Sequence, residues 1–230
     1  MGFIKILGID EAGRGAVLGP LVICGLFVDE KRENRLKKLG VKDSKQLTPK
    51  KRLYLAPRIE KIADSVVVMK VQPCKIDSNR KMGVNLNKIE ALKMAEIINL
   101  IEPDKAIIDT PSYNTTKFRD FLFSKLEKKD VELVCENYAD ETYPIVSAAS
   151  IIAKVSRDED IEELKKKVGY DFGVGYPHDA RTIEFIKKLV IENKGKLPNY
   201  IRHTWATVET IVAEHKQTRV LSFLEKLIKK

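Results

Sequence analysis

The sequence predicts an α/β fold: a mixed sheet of five strands with helices on both faces and a helical C-terminal part. Three observations support this prediction. Short apolar runs typical of strands occur five times, and three of them fall within the first 71 residues. Later in the chain these runs alternate with segments whose apolar residues recur at helical spacing. After residue 178 only helical patterns remain, as expected for a helical extension.

The first half of the chain supplies three strands and three helices. The strands are predicted at 3–9, 18–28 and 64–71. Helices are predicted at 30–39, after Thr48 and Pro49, and at 85–101. Thr48 has the side chain of an N-cap, and Pro49 suits the first helical position. In the third helix, Ile89, Leu92, Ile97 and Leu100 define the expected apolar face.

The second half is predicted to alternate between strands and helices. Two strands are expected at 105–109 and 131–136, and helices at 115–128, from Pro144 onward, at 179–193 and at 204–216. We therefore divide the chain into a domain at 1–177, a helical extension packed on it at 178–216, and a tail at 217–230. A chain of 230 residues is long enough to bury a substantial core.

Composition narrows the class of protein. Hydrophobic residues make up 43% and charged residues 33%, which is typical of a globular chain. No apolar run approaches the ~20 residues of a membrane span, so no membrane partner is expected. Three widely spaced cysteines, Cys24, Cys74 and Cys135, indicate reduced thiols of a cytoplasmic protein. The formal net charge of +9 favours a polyanionic partner such as nucleic acid, although lysine-coated helices would also produce it.

Acidic side chains gather where predicted strands end. Asp10 and Glu11 end the first strand, Asp109 ends the fourth, and Asp140 follows the fifth. Neighbouring residues on a regular strand point to opposite faces, so we expect the first strand to break at this pair. Loops converge at strand ends, and carboxylates brought together there repel unless a cation lies among them. The four acids favour a Mg²⁺ or Mn²⁺ site, while a turn at Asp109 and a helix cap at Asp140 are the alternatives.

The segment Gly13-Arg14-Gly15 follows the first two acids directly. It lacks the spacing and the helix start of a dinucleotide-binding loop. Two glycines would instead let the backbone approach a ligand closely, with the Arg14 guanidinium available for a phosphate. A simple tight turn is the alternative.

Five motifs together resemble a known family. They are GIDEAGRGAVLGP, KDSKQLT, the strand-end Asp109, YADETYPIVSAASIIAK and GVGYPHDART. In this order they closely resemble the type 2 ribonucleases H, in particular the archaeal branch, from about residue 5 to residue 207. The resemblance implies a ribonuclease H-like fold and a metal-dependent endoribonuclease.

The resemblance also implies roles for individual residues. The four acids would bind two divalent ions, Mg²⁺ or Mn²⁺, and the Gly-Arg-Gly loop would read the 2′-hydroxyl at an RNA–DNA junction. Tyr176 would pack on the following deoxyribose. Phosphate contacts are implied for Lys45, Ser147, Ser150 and Lys154. Residues 147, 150 and 154 share one helical face, and close helix packing is a compatible role for the two serines.

The implied activity is hydrolysis of the RNA strand of RNA–DNA hybrids and incision 5′ of single ribonucleotides in duplex DNA. Cleavage would leave 5′-phosphate and 3′-hydroxyl ends, and the protein would act as a monomer. Another nuclease of the same fold, such as a resolvase, would not need the Gly-Arg-Gly loop and Tyr176. A non-catalytic nucleic-acid-binding protein would be expected to lose at least one of the four acids.

This chain departs from the family pattern at a few positions. Ala16 and Ala180 stand where the family usually has proline, and Val174 stands where it usually has serine. Tyr138 occupies a position that is usually basic, two residues before Asp140. A cationic contact near the metals is therefore in question.

The tail contains a possible partner motif. Gln217, Val220, Phe223 and Leu224 have the spacing of a sliding-clamp binding peptide. Such a peptide forms a short 3₁₀-type turn that places an aliphatic and an aromatic anchor in one pocket. The alternative is an amphipathic helix end that folds back on the core.

Overall fold

The computed structural model describes residues 4–41 and 47–228, without the side chains of 219–228. Its strands are β1 (Lys5–Ala12), β2 (Leu21–Asp29), β3 (Ser65–Val71), β4 (Lys105–Asp109) and β5 (Glu132–Glu136). Its helices are α1 (Glu30–Lys38), α2 (Pro49–Ile62), α3 (Pro73–Lys81), α4 (Leu86–Ile101), α5 (Thr115–Ser124), α6 (Ala139–Thr142), α7 (Pro144–Val168), α8 (Ala180–Glu192) and α9 (Ala206–Ile228). None of the described helices has both the length and the apolar character needed to cross a bilayer.

The strands form one mixed sheet in the order β3-β2-β1-β4-β5. β1 pairs antiparallel with β2 and parallel with β4, and β4 pairs parallel with β5. The carboxyl ends of three neighbouring strands therefore lie at the same edge. The predicted five-stranded mixed sheet flanked by helices is confirmed.

The chain divides into two compact units built from separate segments. The first comprises the described parts of Met1–Arg14, Leu21–Val71 and Val84–Glu159, and it contains the whole sheet. The second comprises Gly15–Pro20, Gln72–Gly83 and the described part of Asp160–Lys230. Its core joins residues 17 and 18 to α8 and α9, with Phe172 stacked on Phe185. The domain boundary at residue 177 remains a prediction.

Two glycines let helices pack closely on the opposite faces of the sheet. A Cβ atom on Gly8 of β1 would lie 2.7 Å from the backbone carbonyl carbon of Ile145 in α7. A Cβ on Gly25 of β2 would clash with a side-chain carbon of Ile97 in α4. Because the strand alternates, even-numbered residues of β1 face α7 and odd-numbered residues face α4. This alternation decides which helix each acidic residue meets.

Gly8→Ala will destabilise the protein, because the new methyl group meets backbone that cannot rotate away. We expect the free energy of unfolding to fall by about 1–3 kcal/mol, as in other overpacked cores. Chemical denaturation measures the loss. Ala148→Gly, which removes a buried methyl group from α7, is a comparison that lowers stability without overpacking. Wild-type stability in Gly8→Ala would show that the sheet and α7 can separate without cost.

Several predicted helix boundaries were wrong. The helix expected at 115–128 ends at Ser124, because Asn99 of α4 accepts from the Glu127 backbone N–H and donates to the Lys125 carbonyl. The helix expected at 204–216 continues to Ile228. The start of α2 is confirmed, since Thr48 Oγ1 accepts from the Lys51 N–H at 3.3 Å. The predictions omitted α3 and the single turn of α6.

The buried face of α4 also differs from the prediction. Ile89 and Ile97 are buried, but Leu92 is 36% exposed and Leu100 is 65% exposed. Glu90 lies on the buried side and is fully buried. A buried acid on a helix beside the sheet needs a partner, and Glu90 pairs with Arg14.

Candidate active site

Three aspartates meet at the carboxyl ends of β1 and β4. Ile9 and Ile108 are paired in the parallel register, which places Asp10 and Asp109 side by side. Asp140 lies in α6, and the Ala139 N–H of that helix donates to Asp109 Oδ1 at 3.2 Å. Asp10, Asp109 and Asp140 each offer a carboxylate oxygen, and these three atoms lie within 4.8 Å of one another. The structure thus brings together three of the four predicted acids.

Burial gives this cluster unusual electrostatics. Asp10 is 4% exposed and Asp140 is 1% exposed. Burial raises the pKa of Asp10 to about 7, with Lys154 opposing the shift and Asp109 adding to it. Three close carboxylates, two of them buried and Asp109 partly buried, offer only oxygen ligands. Such a set fits a hard divalent cation, which would offset both the desolvation and the repulsion. The residues present therefore fit Mg²⁺ or Mn²⁺.

Glu11 is not among the three carboxylates that meet in this cluster. The strand does not break as expected: Asp10, Glu11 and Ala12 stay in regular register with β2. Asp10 consequently faces α7, whereas Glu11 lies on the α4 side. Burial raises the pKa of Glu11 well above its usual range, and Glu90 and Asp10 add to the shift. One oxygen of Glu11, Oε2, is buried without a hydrogen-bond partner in the part of the chain that the structure describes.

Arg14 is held by α4. Its Nη1 donates to Glu90 Oε2 at 2.5 Å, and its Nη2 donates to Asn87 Oδ1 at 2.6 Å. The Glu90 side chain is fully buried, and the Arg14 side chain is 34% exposed. Both terminal nitrogens are therefore already engaged within the protein, and a contact of the guanidinium with phosphate stays a prediction. The two hydrogen bonds of Arg14 anchor the backbone of the loop that follows Asp10 and Glu11.

Glu90→Gln will weaken this anchor. A buried hydrogen bond to a charged group contributes about 1.5–3 kcal/mol, and we expect the free energy of unfolding to fall by about that much. Glu96→Gln on the same helix is the matched control, because Glu96 pairs with Lys93 at the surface and should lose less than about 1 kcal/mol. Chemical denaturation of both variants measures the two losses in the free energy of unfolding. Equal losses would mean that the Arg14–Glu90 pair does not hold the loop.

The two glycines of the loop differ in what they require. Gly13 has a φ of 83°, which favours glycine. Gly15 is exposed, and a Cβ atom there would meet nothing within 4 Å. Packing within the described residues therefore does not demand glycine at position 15.

Tyr176 lies in a loop of the second unit that is tied to the chain just after Gly15. The Gly175 carbonyl accepts from the Val17 and Leu18 N–H groups at 2.9 and 3.1 Å. The half-buried Tyr176 ring stacks on His178, with ring centroids 5.5 Å apart. These bonds connect the segment that follows the glycine loop to the loop that carries Tyr176.

The predicted phosphate-binding residues fall into three groups. The Lys154 ammonium donates a hydrogen bond to Ser150 Oγ, and both residues act to lower the pKa of Asp10. Ser147 is fully buried and its hydroxyl donates to the Val41 carbonyl, which supports a packing role for that serine. Lys45 lies outside the described residues.

The positions that depart from the family pattern are accommodated locally. Ala16 is fully buried, and Ala180 begins α8 directly after its N-cap, Asp179. The exposed Val174 donates its N–H to Asp179 Oδ2 at 2.9 Å. Tyr138 is 63% exposed and has a φ of 61°, a left-handed conformation that few aromatic residues adopt. This turn starts α6, which positions Asp140.

The tail adopts a different conformation from the predicted turn. Residues 217–224 continue the α-helix of α9. Gln217 is exposed, and the side chains of Val220, Phe223 and Leu224 lie outside the described residues.

A mixed five-stranded sheet with aspartates gathered at the ends of two adjacent parallel strands defines a nuclease of the ribonuclease H-like class. The family model for ribonuclease HII matches residues 7–208. The chain belongs to the ribonuclease HII family, and it is a metal-dependent endoribonuclease.

Known proteins similar to this chain agree in sequence and in fold. Ribonuclease HII of Methanosarcina barkeri is 45% identical over 221 residues, which cover 94% of this chain and 98% of that protein. The structure of the PCNA:RNase HII complex from Archaeoglobus fulgidus has a TM-score of 0.79 at 42% identity, covering 88% of this chain and 95% of that one. Bst-RNase HIII in complex with Mn²⁺ has a TM-score of 0.75 at 28% identity, covering 94% and 71%.

Glu90 and Asn87 are the functional neighbours that sequence reasoning missed. A signal was present, because Glu90 has helical spacing with Met94 and Ile97, both buried. An acid on that stripe indicates a buried partner. Nothing local in the sequence points to Arg14, which is 76 residues away.

Proposed function

We propose that this chain cleaves the RNA strand of RNA–DNA hybrids and incises 5′ of single ribonucleotides in duplex DNA. The observation that carries the proposal is the cluster of Asp10, Asp109 and Asp140 in a chain of the ribonuclease HII family. The net charge of +9 is suited to a nucleic-acid substrate. Products are expected to carry 5′-phosphate and 3′-hydroxyl ends.

Two divalent ions, Mg²⁺ or Mn²⁺, are the proposed cofactors. When bound, such ions activate a water molecule and stabilise the leaving oxygen of an in-line displacement. Asp10, Asp109 and Asp140 are the residues that would hold them, and Glu11 remains a proposed fourth acid. Mn²⁺ in the structure of the related Bst-RNase HIII supports this choice.

The remaining site residues would position the substrate. We propose that the backbone of Gly13-Arg14-Gly15 reads the ribose 2′-hydroxyl, since Arg14 is fixed to α4 and Gly15 leaves room for close approach. Lys154 and Ser150, which act on the Asp10 carboxylate, are proposed phosphate contacts. Ser147 and Lys45 stay predictions of the same kind.

A cleavage assay tests the proposal directly. The full chain is incubated with end-labelled RNA–DNA hybrid, duplex RNA and duplex DNA, with Mg²⁺, with Mn²⁺ or with a chelator. We expect cleavage only of the hybrid, only in its RNA strand, and only when Mg²⁺ or Mn²⁺ is present. Binding of the hybrid without cleavage in either metal would favour the alternative, a non-catalytic nucleic-acid-binding protein.

We also propose that the tail binds a sliding clamp, supported by the related RNase HII that was solved with PCNA. Removing residues 217–230 is expected to abolish clamp binding and leave cleavage of short hybrids unchanged. Phe223→Ala should act like the truncation, and Lys226→Ala, outside the motif, is the control. Since 217–224 are helical here, the helical circular dichroism signal is expected to fall when the cognate clamp is added. Equal clamp binding by the full and truncated chains would end this proposal.

The cellular setting follows from the proposed chemistry. All three cysteines are free, which suits a reducing cytoplasm. There the chain would act as a monomer in DNA replication and in the excision of ribonucleotides. The sedimentation behaviour of the purified chain tests the monomeric state.

A further inference from the structure

A cavity of about 210 Å³ lies in the first unit between the start of α4 and the start of α5. It is lined by Asn85, Asn87, Lys88, Ser112, Lys117, Phe118 and Phe121. None of these lining residues is acidic, and they supply two ammonium groups, two amides and a hydroxyl. The charged groups of the lining are both cationic, so an anion is the ligand whose charge they complement.

The two lysines are available to such an anion. Lys88 and Lys117 are both exposed, and neither pairs with a carboxylate within 4–41 or 47–228. Their backbone N–H groups are already used, because they donate to the capping side chains of Asn85 and Asn114. The Lys88 ammonium lies 5.8 Å from the centre of the Phe121 ring, which forms one wall of the cavity. Two cationic residues that line one cavity favour an anion as its ligand.

The cavity is attached to the active site on two sides. Asn87, one of its lining residues, accepts from Arg14 of the glycine loop at 2.6 Å. Ser112 lies three residues after Asp109, and Asn137 Nδ2 holds that connection by donating to the carbonyls of Thr110 and Ser112 at 2.6 and 3.0 Å. A ligand in the cavity would thus contact residues that are bonded to the glycine loop or that follow Asp109 closely in the chain.

The residue that follows Ser112 of the cavity lining in sequence is an exposed aromatic. Tyr113 follows Ser112 directly and its side chain is 100% exposed. A ring in that position contributes nothing to a core. Surfaces that bind nucleic acid combine basic residues along the backbone with aromatic rings for bases or sugars. A free phosphate ion has no base or sugar that could stack on such a ring.

We propose that this cavity binds a backbone phosphate of the nucleic-acid substrate, away from the bond that is cut, with Lys88 and Lys117 as the charged contacts. The proposal rests on the proposed function, since it assigns a second contact to the same substrate. Its role is to position the duplex: a phosphate held here would fix the register of the substrate over the three aspartates. The phosphate could belong to the RNA-containing strand or to the DNA strand opposite.

The first experiment measures binding. Lys88→Ala/Lys117→Ala is compared with Lys38→Ala/Lys61→Ala, which removes two exposed lysines from α1 and α2. Both pairs are made in an Asp10→Asn background and titrated with a hybrid duplex in chelator. We expect about tenfold weaker binding for the cavity pair, and a salt dependence reduced by about one unit of slope, because one phosphate contact is lost. The control pair should stay within about twofold of the parent.

The second experiment identifies the phosphate. Single phosphates along each strand are replaced in turn by neutral methylphosphonates. The parent should lose affinity when the methylphosphonate stands at one or two particular positions. At those positions, and at no others, the same replacement should leave the affinity of the cavity pair unchanged. The strand that contains these positions is the strand bound by the cavity. Identical scans for the parent and the cavity pair, or equal affinities in the first experiment, would overturn the proposal. Failure of the parent to bind any hybrid would instead overturn the proposed function.

Discussion

Asp10→Asn will abolish cleavage and at the same time stabilise the metal-free protein at neutral pH. The loss of activity is expected because Asp10 is one of the residues proposed to hold the divalent cations, and asparagine would hold them less well. A loss of several kcal/mol of such stabilisation corresponds to at least about a 10³-fold lower rate. The gain in stability has a separate cause, since Asp10 is a buried carboxylate beside Asp109.

The pH dependence of stability follows from the raised pKa of Asp10. Its pKa is about 7 in the folded protein, against an ordinary value of 3.8. Between these two values the folded state keeps a proton that the unfolded state has lost, so stability falls as the pH rises from about 4 to about 7. The penalty at pH 8 is at most about 4 kcal/mol. Asparagine has no charge to bury, so Asp10→Asn should remove this penalty.

Denaturation in chelator between pH 4.5 and pH 8 measures the effect. The wild type should lose stability across this range, and Asp10→Asn should lose less. Asp120→Asn, an exposed acid on α5, is the control and should follow the wild type. Added Mn²⁺ should raise the wild-type midpoint more than that of Asp10→Asn. Wild-type turnover by Asp10→Asn would refute the assignment of Asp10 to the metal site.

Tyr176→Ala is expected to separate the two proposed activities. In the proposed recognition, incision at a lone ribonucleotide depends on contact with the deoxyribose that follows, and the Tyr176 ring would pack on that sugar. Long hybrids offer many ribonucleotides and depend less on this contact. We therefore expect the alanine variant to lose far more activity on a duplex with one ribonucleotide than on a hybrid. Tyr176→Phe keeps the ring and should retain the selectivity.

Gly15→Ala tests the other half of the same recognition. The structure leaves room for its methyl group, so the variant should unfold at the same denaturant concentration as the wild type. Cleavage of both substrates should nevertheless fall, because the methyl group would stand where we propose that the ribose approaches. Both variants are assayed on labelled duplexes side by side. Full activity in Gly15→Ala would mean that the Gly13-Arg14-Gly15 loop is a tight turn and does not contact the ribose.

Much of the fold could be predicted because its signals are local. The apolar runs located all five strands, and Thr48 with Pro49 located the start of α2. The gathering of Asp10, Asp109 and Asp140 could also be predicted, since parallel strands that end at one edge bring their last residues together. In each case the cause lies within a few residues or in the general geometry of a sheet.

The rest was decided by contacts between distant parts of the chain. Whether β1 continued through Glu11 depended on pairing with β2, and that pairing put Glu11 on the α4 side of the sheet. Arg14 met Glu90 rather than solvent, and α5 stopped at Ser124 because Asn99 bound the residues that followed. Which face of α4 was buried depended on the sheet beneath it. Local sequence determines the period and the ends of an element, but a side chain's partner is chosen among residues that only the folded chain brings within reach.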